Sequence, residues 1–288
     1  MLARSLQKLS GSVAFVIAIT VSLGNILPSF AEDKKDDSSV NRPAFEANKK
    51  GVDLAVKGKV KEAIAEFDEA IKLSPKYARA YANRAAEECH LYKWDLAIQD
   101  CTKAIELEPN MRTAYLNRSW AYDNTNQFEK SLLDCDAAIK LDATHPGPYL
   151  NKSHALNKLG RYEEALVCAN HCLELEPNLI RALSNKAHAE VGLGQNDKAI
   201  ADCDELLKKK PDDVKGLLNR SKAYRQKGEL TKALEDCNKA ISLDPNNGRA
   251  YYNRALTYHA LAEIDRAKYR KSGWVPDKTA NSSATTTK

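Results

Sequence analysis

From residue 44 to residue 247, small and apolar side chains recur at i, i+3, i+4 and i+7 in short stretches, with charged residues between them. That spacing lays one apolar face along an α-helix. One such stretch carries Tyr81, Ala85 and Glu88, and the next carries Trp94, Ala97, Ile98, Cys101 and Ile105. The pattern predicts two helices and then a stop at Pro109, because proline lacks an amide hydrogen and disfavours helix at the residue before it. The same arrangement returns every 34 residues. Pro75, Pro109, Pro177, Pro211 and Pro245 lie on one lattice, vacant only at Ala143, and Ala63, Ala97, Ala165, Ala199 and Ala233 lie on a second, with Ser131 in the gap. A third holds Gly51, Ala85, Ser119, Ser153, Ala187, Ser221 and Ala255, and a fourth holds Ala70, Ala104, Ala138, Cys172 and Ala240, interrupted by Leu206. Small residues at facing registers allow paired helices to approach closely. One helix pair cannot bury its own apolar face, so the units must stack.

In period and in the order of small, aromatic and proline positions, the chain resembles the tetratricopeptide repeat family. The resemblance implies an all-α fold, a right-handed α-solenoid of stacked helix-turn-helix repeats, with six full units over residues 44–247. A further helix is expected from about 248 to 261, and the charged stretch 263–271 is expected to act as a cap that stops end-to-end stacking. At the third junction, Ala143-Thr144-His145-Pro146-Gly147-Pro148, the prolines fall in the first turn of the following helix, where proline is tolerated.

Both ends read differently. Residues 1–31 combine Arg4 and Lys8, no acid, an apolar run from Val13 to Leu27, and small residues at Ser29 and Ala31. This is the pattern of a cleaved export signal, with the cut before Glu32. The competing expectation is an uncleaved membrane anchor, although the run is short beside the ~20 residues that a spanning helix needs. Residues 32–43 are expected to form a charged linker and residues 272–288, rich in Ser, Thr, Lys and Asn, a disordered tail.

Composition narrows the chemistry. The 288 residues carry 44 Lys+Arg and 39 Asp+Glu, a net charge of +5. So mild a balance gives no support for nucleic-acid binding. No phosphate loop, nucleophile elbow or His-Glu-x-x-His sequence occurs, so no catalytic residue, cofactor or metal site is assigned. Of the seven cysteines, Cys101, Cys135, Cys203 and Cys237 share one register, where Phe67 and Ala169 stand in sister units. Neighbouring helix pairs lie ~10 Å apart and a disulfide needs α-carbons within ~7 Å, so these are expected to be small core residues. A metal- or redox-handling role for the cysteines is the remote alternative. Lys50, Arg84, Arg118, Lys152, Lys186, Arg220 and Arg254 recur with the same period, and an acid stands sixteen residues after Lys50, Arg84, Arg118, Lys186 and Arg220. An ion pair tying the two helices of each unit is expected.

The resemblance places the asparagines that precede these basic residues on the concave face of the solenoid. Asn83, Asn117, Asn151, Asn185, Asn219 and Asn253 could each hold the N–H and C=O of an extended guest, since a carboxamide has both a donor and an acceptor. Bracing of neighbouring helices is the other reading of the same array. Ala82, Ala86, Leu116 and Trp120 flank the early asparagines, whereas Arg181, Lys215, Lys222, Arg225 and Arg249 flank the later ones. That gradient suits a partner protein offering an extended, acidic segment. The clamp with which tetratricopeptide co-chaperones hold acidic C-termini is missing: Asn48 and Val52, then Thr113 and Asn117, stand where its other members belong. The expected protein is therefore an exported, non-enzymatic interaction scaffold, with a membrane-anchored adaptor as the alternative.

Overall fold

The computed structural model describes residues 40–273. The export-signal and tail expectations fall on residues outside that range. Among the described residues there are thirteen α-helices and no strand. In chain order they are α1 (Arg42–Val56), α2 (Val60–Leu73), α3 (Ala78–His90), α4 (Trp94–Leu107), α5 (Arg112–Asn124), α6 (Phe128–Leu141), α7 (Pro146–Lys158), α8 (Tyr162–Leu175), α9 (Ile180–Gly192), α10 (Asn196–Lys209), α11 (Val214–Lys227), α12 (Leu230–Leu243) and α13 (Gly248–Ser272). Two compact units emerge, one ending at Gln195 and one beginning at Asn196. In the first, α1 to α9 pack as successive antiparallel hairpins, each first helix touching its own second helix and the first helix of the next pair. In the second, α10 to α13 follow the same rule. No helix among the described residues is long and apolar enough to cross a membrane.

Local chemistry sets the helix ends. Ser74, Glu108 and Glu176, each just before a lattice proline, leave helical geometry for extended backbone, Ser74 at φ −143° and ψ 88°. Where the proline is missing, Asp142 takes over: its carboxylate accepts from Thr144 N at 3.0 Å and Thr144 Oγ1 at 2.7 Å. Helix α7 then begins at Pro146, and His145 Nδ1 accepts the Gly147 amide at 3.1 Å. Burial, with Arg112 nearby, lowers the His145 pKa to about 4, so the ring stays neutral and keeps that acceptor.

The turn inside each hairpin follows a further lattice. Gly58, Gly160, Gly194 and Gly228 have φ between 72° and 81°, and Tyr92 and Asn126 occupy the same register at 59° and 57°. Left-handed backbone costs a non-glycine residue ~1–2 kcal/mol, so at Tyr92 hairpin closure overrides local preference.

The core is built from exchanges of volume. Ala85, Ala97, Cys101 and Ala121 pack together, with Trp94 and Trp120 at the margin. In the first hairpin Phe67 takes the cysteine register, and the facing residue is Gly51, where a Cβ would come within 2.5 Å of the Phe67 ring. Leu206, the exception in the alanine lattice, is accommodated in the same way, since a Cβ on Gly216 would lie 2.7 Å from its Cδ2. Close packing leaves no other solution.

All seven cysteines are unpaired in the structure, and only Cys168 is more than marginally exposed. Burial raises the Cys172 thiol to about 12 and raises those of Cys89, Cys101, Cys135 and Cys203 as well, which suppresses the reactive thiolate. In a native thiol titration Cys168 alone should react on the timescale of minutes, and all seven after denaturation. Rapid native labelling of several thiols would contradict this packing.

Candidate functional site

The asparagine array comes first, because the guest-binding expectation rested on it. Asn83, Asn117, Asn151, Asn219 and Asn253 are between 0% and 6% exposed, and Asn185 is half-buried. The amide nitrogens of Asn83, Asn117, Asn151, Asn185 and Asn253 point at the preceding first helix, and Asn219 Oδ1 accepts from Arg249. Asn151 Nδ2 donates to Ser119 Oγ at 2.9 Å and to Leu116 O at 3.4 Å, and Asn185 Nδ2 donates to Ser153 Oγ at 2.8 Å and to Leu150 O at 3.2 Å. Asn253 repeats this with Ser221 and Leu218, Asn117 reaches Ala82 O, and Asn83 reaches Asn48 Oδ1 at 3.0 Å. The serines pass the bond on: Ser119 Oγ donates to Leu116 O and Ser153 Oγ to Leu150 O, both at 2.8 Å. A carboxamide buried to this degree, with its N–H groups on its own fold's oxygens, does not grip a guest. Asn83, Asn117, Asn151, Asn185 and Asn253 brace consecutive first helices, and for these five the guest-binding reading is corrected. In the sequence, Ser119, Ser153 and Ser221 read only as small residues; their hydroxyls are what the brace needs.

The apolar flank is corrected as well. Ala82 and Ala86 are fully buried and Leu116 is 3% exposed, so they belong to the core. Trp120 is half-buried and stands edge-on to Trp94, with ring centroids 5.4 Å apart. Arg181 separates from the other basic residues. It is partly buried in the first unit, where burial lowers its pKa and the Asp123 charge opposes that shift. Asp123 Oδ2 lies 3.1 Å from His154 Nδ1. Arg181 therefore has an anionic neighbour within its own unit.

The remaining basic residues are different. Lys222, Arg225 and Arg249 sit together in the second unit. Burial lowers the Lys222 pKa, and the Arg249 and Arg225 charges lower it further. The Arg225 Nε atom is buried without a hydrogen-bond partner among the described residues. Arg249 Nη2 donates to Asn219 Oδ1 at 3.0 Å, a neutral acceptor that leaves its charge uncompensated. Lys215, on the same helix as Lys222, is exposed. The mutual repulsion of Lys222, Arg225 and Arg249, none of them in an ion pair with a described residue, favours binding of an anion.

The lattice cations Arg84, Arg118 and Arg220 are fully employed by contrast. Arg84 grips Asp100 in a fork, Nε to Oδ2 at 2.6 Å and Nη2 to Oδ1 at 2.7 Å, and Nη1 reaches back to Asp68 at 2.6 Å. Arg220 does the same with Asp236 and Asp204, and Arg118 with Asp134 and the Thr102 hydroxyl. The sequence pattern had shown only the acid sixteen residues ahead. The partner sixteen residues behind, on the preceding second helix, was missed, and it supplies Lys152 with Asp136 at 2.5 Å.

Stacked helical hairpins held by this brace, with a cluster of unneutralised cations on first helices, define a repeat scaffold of the protein-interaction class. A profile described as the TPR repeat matches residues 54–86 and 221–261, and one described as the tetratricopeptide repeat matches residues 113–145 and 147–179. The chain belongs to the tetratricopeptide repeat family. Among solved structures it is similar to YrrB, described as a TPR protein with an unusual peptide-binding site, at 22% identity over 66% of this chain and 97% of YrrB, with a TM-score of 0.52. It is also similar to a tetratricopeptide repeat protein from Parabacteroides merdae, at 20% identity over 83% of this chain and 96% of that one, with a TM-score of 0.62. A chain of the APC/C hetero-tetramer Cut9–Hcn1 matches at 16% identity and a TM-score of 0.67, covering 84% of this chain and 45% of that one. At these identities the likeness is one of fold.

Proposed function

We propose that the protein is a non-enzymatic scaffold that captures an acidic, extended segment of a partner protein on the first helices of its second unit. The observation that carries this reading is the Lys222–Arg225–Arg249 cluster, in which Arg225 Nε is buried without a hydrogen-bond partner among the described residues. The lattice arginines Arg84 and Arg220 are each met by two carboxylates. Lys222, Arg225 and Arg249 are met by none among the described residues. A carboxylate-bearing peptide would relieve their mutual repulsion, and an arginine fork favours that geometry. The asparagines hold the helices at the spacing the guest meets and do not touch it.

The same proposal places the protein outside the cytoplasm, released after cleavage near Ala31. Supporting this are the basic start, apolar run and small residues of the N-terminal segment. Six buried thiols with suppressed thiolate character are also compatible with an oxidising compartment.

The test is fluorescence anisotropy with an extended peptide bearing several Asp and Glu residues, against the same peptide with Asn and Gln in their place. The acidic peptide should bind and the neutral one should not. The K222A/R225A/R249A variant should weaken acidic-peptide binding roughly a hundredfold, on the basis of ~1–3 kcal/mol for a charge-assisted contact. Equal binding of both peptides, or an unaffected triple variant, would refute the assignment.

A further inference from the structure

Among the described residues, helix α13 is a first helix that no second helix follows. Its residues repeat the face that α5 turns toward its own partner: Tyr251, Arg254, Ala255 and Tyr258 correspond to Tyr115, Arg118, Ser119 and Tyr122. In α3, α5, α7, α9 and α11 the small residue of this face is 0–1% exposed. In α13 the equivalent, Ala255, is exposed, and Tyr258 is 52% exposed where Leu156 of α7 is 1%. The open stripe continues: at 100° per residue, Tyr251, Ala255, Tyr258, Ala262 and Tyr269 fall on one side of the helix, all of them exposed. The helix runs for 25 residues where other first helices have 13 to 15, so it offers a full second helix something to lie against.

The charge on this face indicates the occupant. Lys50, Arg84, Arg118 and Arg220 are each bonded to an acid of the following second helix at 2.6 to 2.8 Å. Arg254 has the backward partner, Nη1 donating to Asn238 at 3.0 Å, and it covers the Tyr251 ring at 5.3 Å from the centroid. It makes no ion pair with any described residue. The position sixteen ahead, where the acid would stand, is Arg270 of the same helix. Three of the second helices, α4, α6 and α12, share one signature: a small residue, an acid three positions on, and small residues four and seven positions on. It reads Ala97, Asp100, Cys101, Ala104 in α4 and Ala233, Asp236, Cys237, Ala240 in α12.

We infer that the Tyr251–Arg254–Ala255–Tyr258 face of α13 docks an amphipathic helix of a partner protein carrying this small–acid–small–small signature, which completes a seventh hairpin in trans. The acid would meet Arg254 and the small residues would close over Ala255, as Asp100 and Ala97 do for Arg84 and Ala85. A second copy of α13 fits poorly, since its own sequence offers Tyr and Arg where small residues and an acid are required. This site is separate from the Lys222–Arg225–Arg249 cluster and does not depend on it.

The probe is a fluorescein-labelled peptide spanning residues 93–107 of this chain, with serine at the Cys101 position, titrated against the full-length protein. Saturable binding is expected. It should weaken roughly tenfold or more in R254E and in A255L, the first removing the charge match and the second wedging the helices apart. A peptide with arginine at the Asp100 position should bind R254E better than it binds the unaltered protein. K222A/R225A/R249A should leave the affinity unchanged. Ala255 is exposed, so A255L is not expected to unfold the protein, and circular dichroism checks this. Absence of binding, or binding indifferent to R254E and A255L, would overturn the inference. So would binding seen only after residues 274–288 are removed, which would make the tail the occupant. A dimer in sedimentation equilibrium that A255L converts to monomer would assign the face to a second copy and overturn it too.

Discussion

Replacing Asn117, Asn151 and Asn185 together with Ala is expected to lower the unfolding free energy by about 3–5 kcal/mol, with little change in acidic-peptide affinity. Each substitution removes a buried donor and strands its acceptors: Leu116 O and Ser119 Oγ for Asn151, Leu150 O and Ser153 Oγ for Asn185, Ala82 O for Asn117. An orphaned buried polar group costs about 1–3 kcal/mol. The bonds from Asn117 to Ala82 O and from Asn151 to Leu116 O are the longest of these, both at 3.4 Å. The three sites share helices, so the total need not equal the sum of single variants. Urea unfolding followed by circular dichroism measures the loss, and anisotropy with the acidic peptide measures affinity. A stable triple variant that no longer binds peptide would return these asparagines to the guest-binding role.

Arg84→Ala is expected to be the most damaging single substitution, at about 3–5 kcal/mol. Asp100 is 7% exposed, Glu88 is equally buried, and Arg84 is the cation that forks onto Asp100 while tying it to Asp68 on the preceding second helix. Burial, reinforced by the Asp100 charge, already raises the Glu88 pKa to about 8, which shows how little further negative charge the site tolerates. Removing one partner of a buried pair leaves an uncompensated charge, which costs far more than the pair itself contributes. Arg84→Lys should recover only part of the loss, because one ammonium cannot form the fork and also reach Asp68. Arg84→Ala combined with Asp100→Ala should be less destabilised than Arg84→Ala alone. If the double variant were instead the weaker, the buried-charge account of this position would fail. Removal of the exposed Arg161–Glu164 pair serves as the control and should leave the urea midpoint in place.

How far each feature could be read in advance depends on what encodes it. The helix pairs, their period and their stops were legible because apolar spacing and prolines are local signals. The forward ion pairs were legible because both partners sit on one lattice, as with Arg84 and Asp100. The backward partners of those cations were on the page too, at Asp68, Asp136 and Asp204, but their spacing of minus sixteen has meaning only once second helices are known to flank each first helix on both sides.

The site was the least legible part. Asn151 in a first-helix register could face a groove or the helix before it, and nothing in the residue type distinguishes the two. Ala82, Ala86 and Leu116 posed the same ambiguity and proved to be core.

Sequence alone determined the all-α repeat, its period of 34 and the positions of its helix stops, because those follow from backbone chemistry and the one-dimensional order of side chains. Tertiary structure decided which polar groups are consumed within the fold and which remain for a partner. That depends on distances between residues 16, 32 and 35 positions apart, such as the 2.9 Å between Asn151 and Ser119. It also decided that, among the described residues, the face of α13 at Ala255 and Tyr258 meets solvent, which residue type alone does not reveal.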